Sequence, residues 1–212
     1  MTCDIRKELE NDKTVYGPFV KSCSPVMVEV MGLAGLDYVM LDMEHSPVSM
    51  ETLEHLIRAA ETAGIFPFVR VAGMNESDFI HPLDKGARGL LVPMVNTAEN
   101  AEKAVAFSRF APSGKRGMDI YSRSAWFGFA AKEDYFKDSD EIILAVQIEG
   151  AEGIANLDEI LAVPGIDIIY VGPYDLSQSL GIPGRVTDPR LFSEVERICE
   201  KTRKSGKKLG AY

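Results

Sequence analysis

The sequence predicts an α/β protein of the (β/α)8 TIM-barrel class, read as far as the start of its seventh strand. Three observations carry this prediction. Short apolar runs alternate with stretches of helical period over short connectors, the pattern of a parallel sheet covered by helices. No GxGxxG follows the first run, which argues against a doubly wound, nucleotide-binding sheet. Six strand–helix units and the opening of a seventh favour a barrel over an open sheet. A complete barrel needs roughly 250 residues. At 212 residues one domain spanning 1–212 is expected, truncated so that the eighth strand and last helix are missing.

The elements follow in order. Residues 1–13 read as a polar helical lead-in and 14–20 (TVYGPFV) as the first strand. Ser24, an N-cap, and Pro25, at the first helical position, open a helix closed by Gly35. Residues 38–41 form the second strand, and 49–63 an amphipathic helix ended by Gly64. Residues 66–71 (FPFVRV) are the third strand, and 75–85 a helix ended by Gly86. The fourth strand is 89–94, followed by a helix over 97–109 with Thr97 as cap. Residues 111–139 read as a long irregular segment, of the kind that is usually functional inside a compact domain. Then come strand 142–149, helix 151–162 broken by Pro164-Gly165, and strand 166–172. A helical turn at 175–180, a long helix at 188–205 and the strand KKLGAY complete the chain as given.

Composition narrows the function classes. A net charge of −9 argues against a nucleic-acid or anionic-membrane partner, so an anionic substrate would need local cations or a metal. No apolar run approaches membrane-spanning length, and the charged N-terminus has no signal-peptide core. Cys3, Cys23 and Cys199 are odd in number and widely spaced, which points to a reducing compartment, with cytoplasm as the expectation.

The polar residues gather at strand ends. The second strand stops in Asp42, Glu44 and His45, the third carries Arg70, the fifth ends in Glu149 and the sixth in GPYD with Asp175. Each alone reads as a salt bridge or a helix cap. Together they fall on the rim where barrels build their active sites. Glu149 and Asp175 supply two hard oxygen ligands, suited to Mg2+ or Mn2+. His45 is a candidate base or a third ligand, and Arg70 a fixed cation for a carboxylate or an enolate oxygen. Gly172 lets the backbone of Gly172, Pro173, Tyr174 and Asp175 approach an anion. No lysine falls inside the first six strands, which disfavours Schiff-base chemistry.

With these residues in place, the chain resembles the HpcH/HpaI aldolase family, the metal-dependent class II pyruvate aldolases. The matching segments are LDMEHSP (41–47), FVRVAG (68–73), LDKGARGLLVPMV (83–95), PSGKRG (112–117), VQIEG (146–150) and VGPYDLSQSLG (171–181). The resemblance implies reversible aldol cleavage of a 4-hydroxy-2-oxo acid to pyruvate and an aldehyde through a metal-bound enolate. Glu149 and Asp175 would hold the divalent metal, Mg2+ or Mn2+, with Co2+ as a further candidate. Arg70 would stabilise the enolate, and His45 would act as acid/base with Asp84 as dyad partner. Asp42 and Glu44 would surround the ligands without touching the ion, Asp42 tuning the bound water. The backbone from Gly172 through Pro173 and Tyr174 to Asp175 would receive the pyruvate carboxylate. Lys115, Arg116 and residues 121–129 would lie near the mouth and select the aldehyde.

Two departures stand out. Tyr174 fills a slot that the family gives to a smaller residue, and the family continues past Tyr212 into a strand and a helix exchanged within hexamers of paired trimers. A homo-oligomer is the expected assembly. Two other functions stay open: CoA-ester or other carbon–carbon lyase chemistry on the same platform, and a non-catalytic partner protein. The first ranks lower because no basic cluster for CoA phosphates stands out.

Overall fold

The apolar runs pair side by side, as their β-branched and aromatic content predicts. A computed structural model describes residues 4–212; Cys3 and the start of the expected lead-in helix lie outside the described residues. Seven strands, β1 (Phe19–Val20), β2 (Tyr38–Asp42), β3 (Phe66–Arg70), β4 (Gly89–Val92), β5 (Ile143–Ile148), β6 (Ile168–Val171) and β7 (Lys208–Ala211), form one sheet in chain order. Sequential order with intervening helices is the neighbour pattern of a (β/α) barrel, as the alternation predicted. The pairs β1–β2, β2–β3, β5–β6 and β6–β7 are parallel.

The chain divides into two compact units. The first runs to Leu90 and resumes over Phe107–Ile143. Helices α1 (Ile5–Glu10), α2 (Pro25–Leu33), α3 (Met50–Ala63) and α4 (Glu76–Asp84) belong to it. Ser49 caps α3 by accepting the Thr52 N–H at 3.1 Å, and Gly64 closes it at φ 70°. The helix buries Leu53, Leu56, Ile57 and Ala60, one face at 3.6-residue spacing. Each large side chain of that stripe contributes about 1.5–3 kcal/mol by leaving water.

Two expectations are corrected here. β1 is shorter than residues 14–20, because Gly17-Pro18 weakens the run and Pro18 has no N–H to donate. Residues 111–139 are not irregular throughout. A 3-10 turn spans Arg123–Gly128, and Lys132–Asp140 is a helix, α6. Tyr135 is buried with Phe110 and Ala125, and Phe136 packs against that cluster, ordering a helix whose remaining residues are mostly polar.

The second unit comprises Leu91–Ala106 and Leu144–Tyr212. Most of α5 (Ala98–Ser108) lies in it, with α7 (Ala151–Ala155), α8 (Leu157–Ala162), α9 (Pro173–Ser179) and α10 (Pro189–Lys204). Every residue of β5 is buried, as in a sheet covered on both faces. The helix expected over 151–162 breaks at Asn156, whose side-chain amide donates to the Asn96 carbonyl at 2.9 Å. Lys207, just before β7, donates to the carbonyls of Val163 and Ile166 at 3.1 and 3.0 Å, which ties that turn to the strand.

Candidate active site

In the first unit the site grows from register. Parallel pairing sets Asp42 opposite Arg70, so the last residues of β2 and β3 are neighbours. Arg70 donates from Nε to Asp42 Oδ1 at 2.9 Å and from Nη2 to Oδ2 at 2.6 Å, a two-pronged fork. Asp42 is fully buried and Arg70 is 7% exposed. The Glu44 carboxylate lies 3.2 Å from Arg70 Nε, and the Phe19 ring lies 4.7 Å from the guanidinium carbon. Asp42 Oδ1 also accepts the backbone N–H groups of Glu44 and His45 at 3.1 and 3.2 Å, and Ser46 donates its hydroxyl to the Asp42 carbonyl. One carboxylate thus orients the guanidinium and shapes the turn that displays His45.

His45 is exposed, with Nε2 3.9 Å from the Glu44 carboxylate. Asp84, the expected dyad partner, accepts instead from Arg116 Nη2 at 2.8 Å. Arg116 is buried and stacks over Phe110, with its carbon 4.7 Å from the ring centre. Lys115 lies over the Phe107 ring at 4.9 Å, and Tyr121, Trp126, Phe127 and Phe129 are exposed. A cleft of about 570 Å3 also lies in this unit, lined by Arg58, Glu61, Arg88, Trp126 and Ile142 among others. Arg88 and Ile142 precede β4 and β5, so the cleft sits by strand beginnings, whereas Asp42 and Arg70 mark strand ends.

The two aspartates respond to acid in opposite senses. Burial opposes the Asp42 charge, but the Arg70 hydrogen bonds and charge and the His45 and Glu44 N–H groups outweigh it, holding its carboxyl below the ordinary 3.8. For Asp84, burial raises the carboxyl above 3.8, Asp119 adds to the rise, and Arg116 offsets only part of it. Folded Asp84 therefore binds protons more tightly than the unfolded chain does, so its contribution is largest below 3.8 and is lost as pH rises through its folded value. Asp42 contributes above 3.8 and that contribution is lost as pH falls through its lowered value. Urea midpoints measured from pH 3 to 7 should show both: Asp84→Asn flattens the profile above 3.8, and Asp42→Asn flattens it below. Identical profiles for Asp84→Asn and wild type would contradict this account.

In the second unit, Glu149 follows β5 and is 3% exposed. Its Oε1 accepts the Met94 N–H at 2.8 Å and its Oε2 accepts the Gln147 side-chain amide. Gln147 and Glu149 share one face of the strand by alternation. Gly172 comes next to them: a Cβ there would lie 2.6 Å from Glu149 Oε2 and 2.7 Å from Gln147 Nε2, so only glycine leaves the carboxylate in place. Asp175 stands in the first turn of α9, exposed, its side chain with no hydrogen bond or ion pair among the described residues. Pro173 is the first residue of α9, and the exposed Tyr174 ring meets the Tyr212 ring edge-on, with centres 6.2 Å apart.

These oxygens fit a divalent cation. Two buried amide oxygens, Gln147 Oε1 and Asn96 Oδ1, have no hydrogen-bond donor. Buried acceptors without donors are costly unless a cation or water meets them. Among the described residues no group of three or more His, Cys, Asp or Glu side chains gathers to hold an ion. An ion held by Glu149 and Asp175 would need neutral oxygens to complete a hard-cation shell.

Sequence reasoning missed Gln147, whose amide meets Glu149. Gln147 had a signal, a polar residue inside the buried run IILAVQIE.

The sequence profile of the HpcH/HpaI aldolase/citrate lyase family matches residues 16–210. The chain belongs to that family. Its carbon–carbon lyase class follows, as the sequence led us to expect. Family members include the 2-keto-3-deoxy-L-rhamnonate aldolase of Klebsiella pneumoniae, 36% identical over 97% of this chain and 77% of that protein. The hydroxypyruvate/pyruvate aldolase of Roseobacter denitrificans is 34% identical over 97% of this chain and 80% of its own length. Among solved structures, an HpcH/HpaI aldolase/citrate lyase family protein from Burkholderia cenocepacia has a TM-score of 0.93 at 31% identity, covering 99% of this chain and 84% of that one. The citrate synthase SbnG has a TM-score of 0.89 at 39% identity, covering 98% and 80%.

Proposed function

We propose that the protein catalyses the reversible aldol cleavage of a 4-hydroxy-2-oxo acid to pyruvate and an aldehyde. The observation that carries this reading is the Asp42–Arg70 fork, which holds a buried guanidinium in one plane at the end of β3. A fixed cation of that kind stabilises negative charge developing on the 2-oxo oxygen as the C3–C4 bond parts. A divalent ion, Mg2+ or Mn2+, held by Glu149 and Asp175 would supply Lewis-acid polarisation of a 2-oxo acid. The backbone N–H groups of Tyr174 and Asp175, in the first turn of α9 and without helical partners, receive the substrate carboxylate, while Gly172 N–H donates to the Ile148 carbonyl at 3.2 Å. His45 takes the proton of the 4-hydroxyl and returns one to C3 of pyruvate. Glu44, 3.9 Å from Nε2, is the carboxylate beside the imidazole, while Asp84 holds Arg116 and with it the 112–117 segment. The same reading makes the protein cytoplasmic and a homo-oligomer, the oligomer supported by Trp126 and Phe129, exposed at 71% and 92%.

With Mn2+ present, a panel of 4-hydroxy-2-oxo acids, including 2-keto-3-deoxy-L-rhamnonate, is expected to release pyruvate in a lactate-dehydrogenase-coupled assay. His45→Ala should lower that rate about 100-fold while leaving thermal stability unchanged, because the side chain is 59% exposed. If His45→Ala leaves both cleavage and pyruvate C3 proton exchange intact, His45 has no catalytic part.

The likeness to citrate synthase SbnG favours a second reading, condensation of an acyl-CoA thioester with a 2-oxo acid. Thiol release from acetyl-CoA and oxaloacetate, without pyruvate release from any hydroxy-oxo acid, would select it.

A further inference from the structure

The aldol reading gives no ligand to the cleft of about 570 Å3 in the first unit. Pockets of that volume hold small organic molecules. Four arginines line it, and three have acidic partners. Arg58 donates to Glu54, Arg116 to Asp84, and Arg123 to Glu61 and to the Lys85 carbonyl. Arg88 differs. Its guanidinium carbon lies 5.1 Å from the centre of the buried Phe66 ring, which sets its plane. Its side chain has no hydrogen bond or ion pair among the described residues. Asp138 and Glu141 line the same cleft at the end of α6, and among the described residues neither carboxylate has a hydrogen bond or ion pair.

Trp126 and Phe127 supply the apolar wall. Both adopt left-handed backbone, at φ 50° and 56°, a conformation that strains residues with a Cβ and recurs at ligand clamps. The two residues are 71% and 58% exposed, so packing within the chain does little to offset that strain. One ligand chemistry uses all of these groups. The guanidinium of Arg88 is a planar fork for a carboxylate. Asp138 and Glu141 repel a plain anion and attract a cation. The two rings accept a third ring. A zwitterion that carries an aromatic group meets all three demands, whereas a phosphate or a simple carboxylic acid meets only the first.

We propose that this cleft binds an aromatic amino acid, with its carboxylate on Arg88, its ammonium toward Asp138 and Glu141, and its ring against Trp126 and Phe127. All five residues belong to the first unit. Trp126 is the one tryptophan of the chain, so its fluorescence reports occupancy of the cleft directly. L-Phenylalanine, which is transparent where tryptophan is excited, is titrated into the full chain with neither substrate nor metal present. Wild type gives a saturable change in emission. Arg88→Gln weakens the Kd about tenfold, and so does the double variant Asp138→Asn with Glu141→Gln.

Two further probes assign the charges. Phenylpropionate lacks the ammonium and phenylethylamine lacks the carboxylate, and each binds about tenfold more weakly than phenylalanine. No saturable change with wild type and phenylalanine overturns the proposal. So does phenylpropionate binding as tightly as phenylalanine, or a Kd for Arg88→Gln equal to that of wild type. The titration uses no substrate, so its outcome stands whether or not the aldol reading holds.

Discussion

Replacing Glu149 by glutamine is expected to abolish tight Mn2+ binding and to lower turnover about a thousandfold, roughly 4 kcal/mol of transition-state stabilisation. The substitution keeps shape and removes charge. It also disturbs a carboxylate with both oxygens engaged, because Oε1 receives the Met94 N–H and Oε2 the Gln147 amide. A carboxamide has one acceptor oxygen, so its NH2 group must face one of those donors. That mismatch costs about 1–3 kcal/mol of stability in a group 3% exposed. Mn2+ affinity by electron paramagnetic resonance and urea midpoints separate the two effects. Unchanged Mn2+ affinity in Glu149→Gln would remove the residue from the metal site whatever the turnover.

Asp42→Ala is expected to destabilise the protein by about 3–5 kcal/mol, the cost of leaving a buried cation without its main partner. Arg70 is 7% exposed, and Glu44 at 3.2 Å is its other carboxylate. Two backbone N–H groups, of Glu44 and His45, lose their acceptor in the same variant. Arg70→Lys gives the complementary result. It keeps the charge and loses the planar fork, and it is expected to lower kcat about 100-fold with a smaller loss of stability. Urea unfolding of both variants checks the contrast. A stability loss below about 1 kcal/mol in Asp42→Ala would show that the fork contributes little to the fold.

Much of the architecture was legible because it is written locally. Ser49 and Gly64 bracket α3 as a cap and a left-handed stop should, and Leu53, Leu56, Ile57 and Ala60 face inward at helical spacing. The run 142–149 is apolar along nearly its whole length, as a strand buried on both faces must be. Where local signals were thin, the reading failed. Only Tyr135 and Ser139 of α6 are buried, and its order depends on Phe110 and Ala125, which lie outside the helix. The break at Asn156 depends on a carbonyl at Asn96, 60 residues away along the chain.

The sequence by itself determined which residues bear the cost of ending a buried strand in charge: Asp42, Arg70 and Glu149 are expensive there wherever the chain folds. It also determined the order of strands and helices, through periodicity and caps. Only the tertiary structure decided who answers those charges. Asp42 meets Arg70 across 28 residues, Glu149 meets the Met94 N–H across 55, and Asp84 goes to Arg116 rather than to His45. Partnership of that kind is set by strand register and by which ends become neighbours, and neither leaves a trace in a local stretch of sequence.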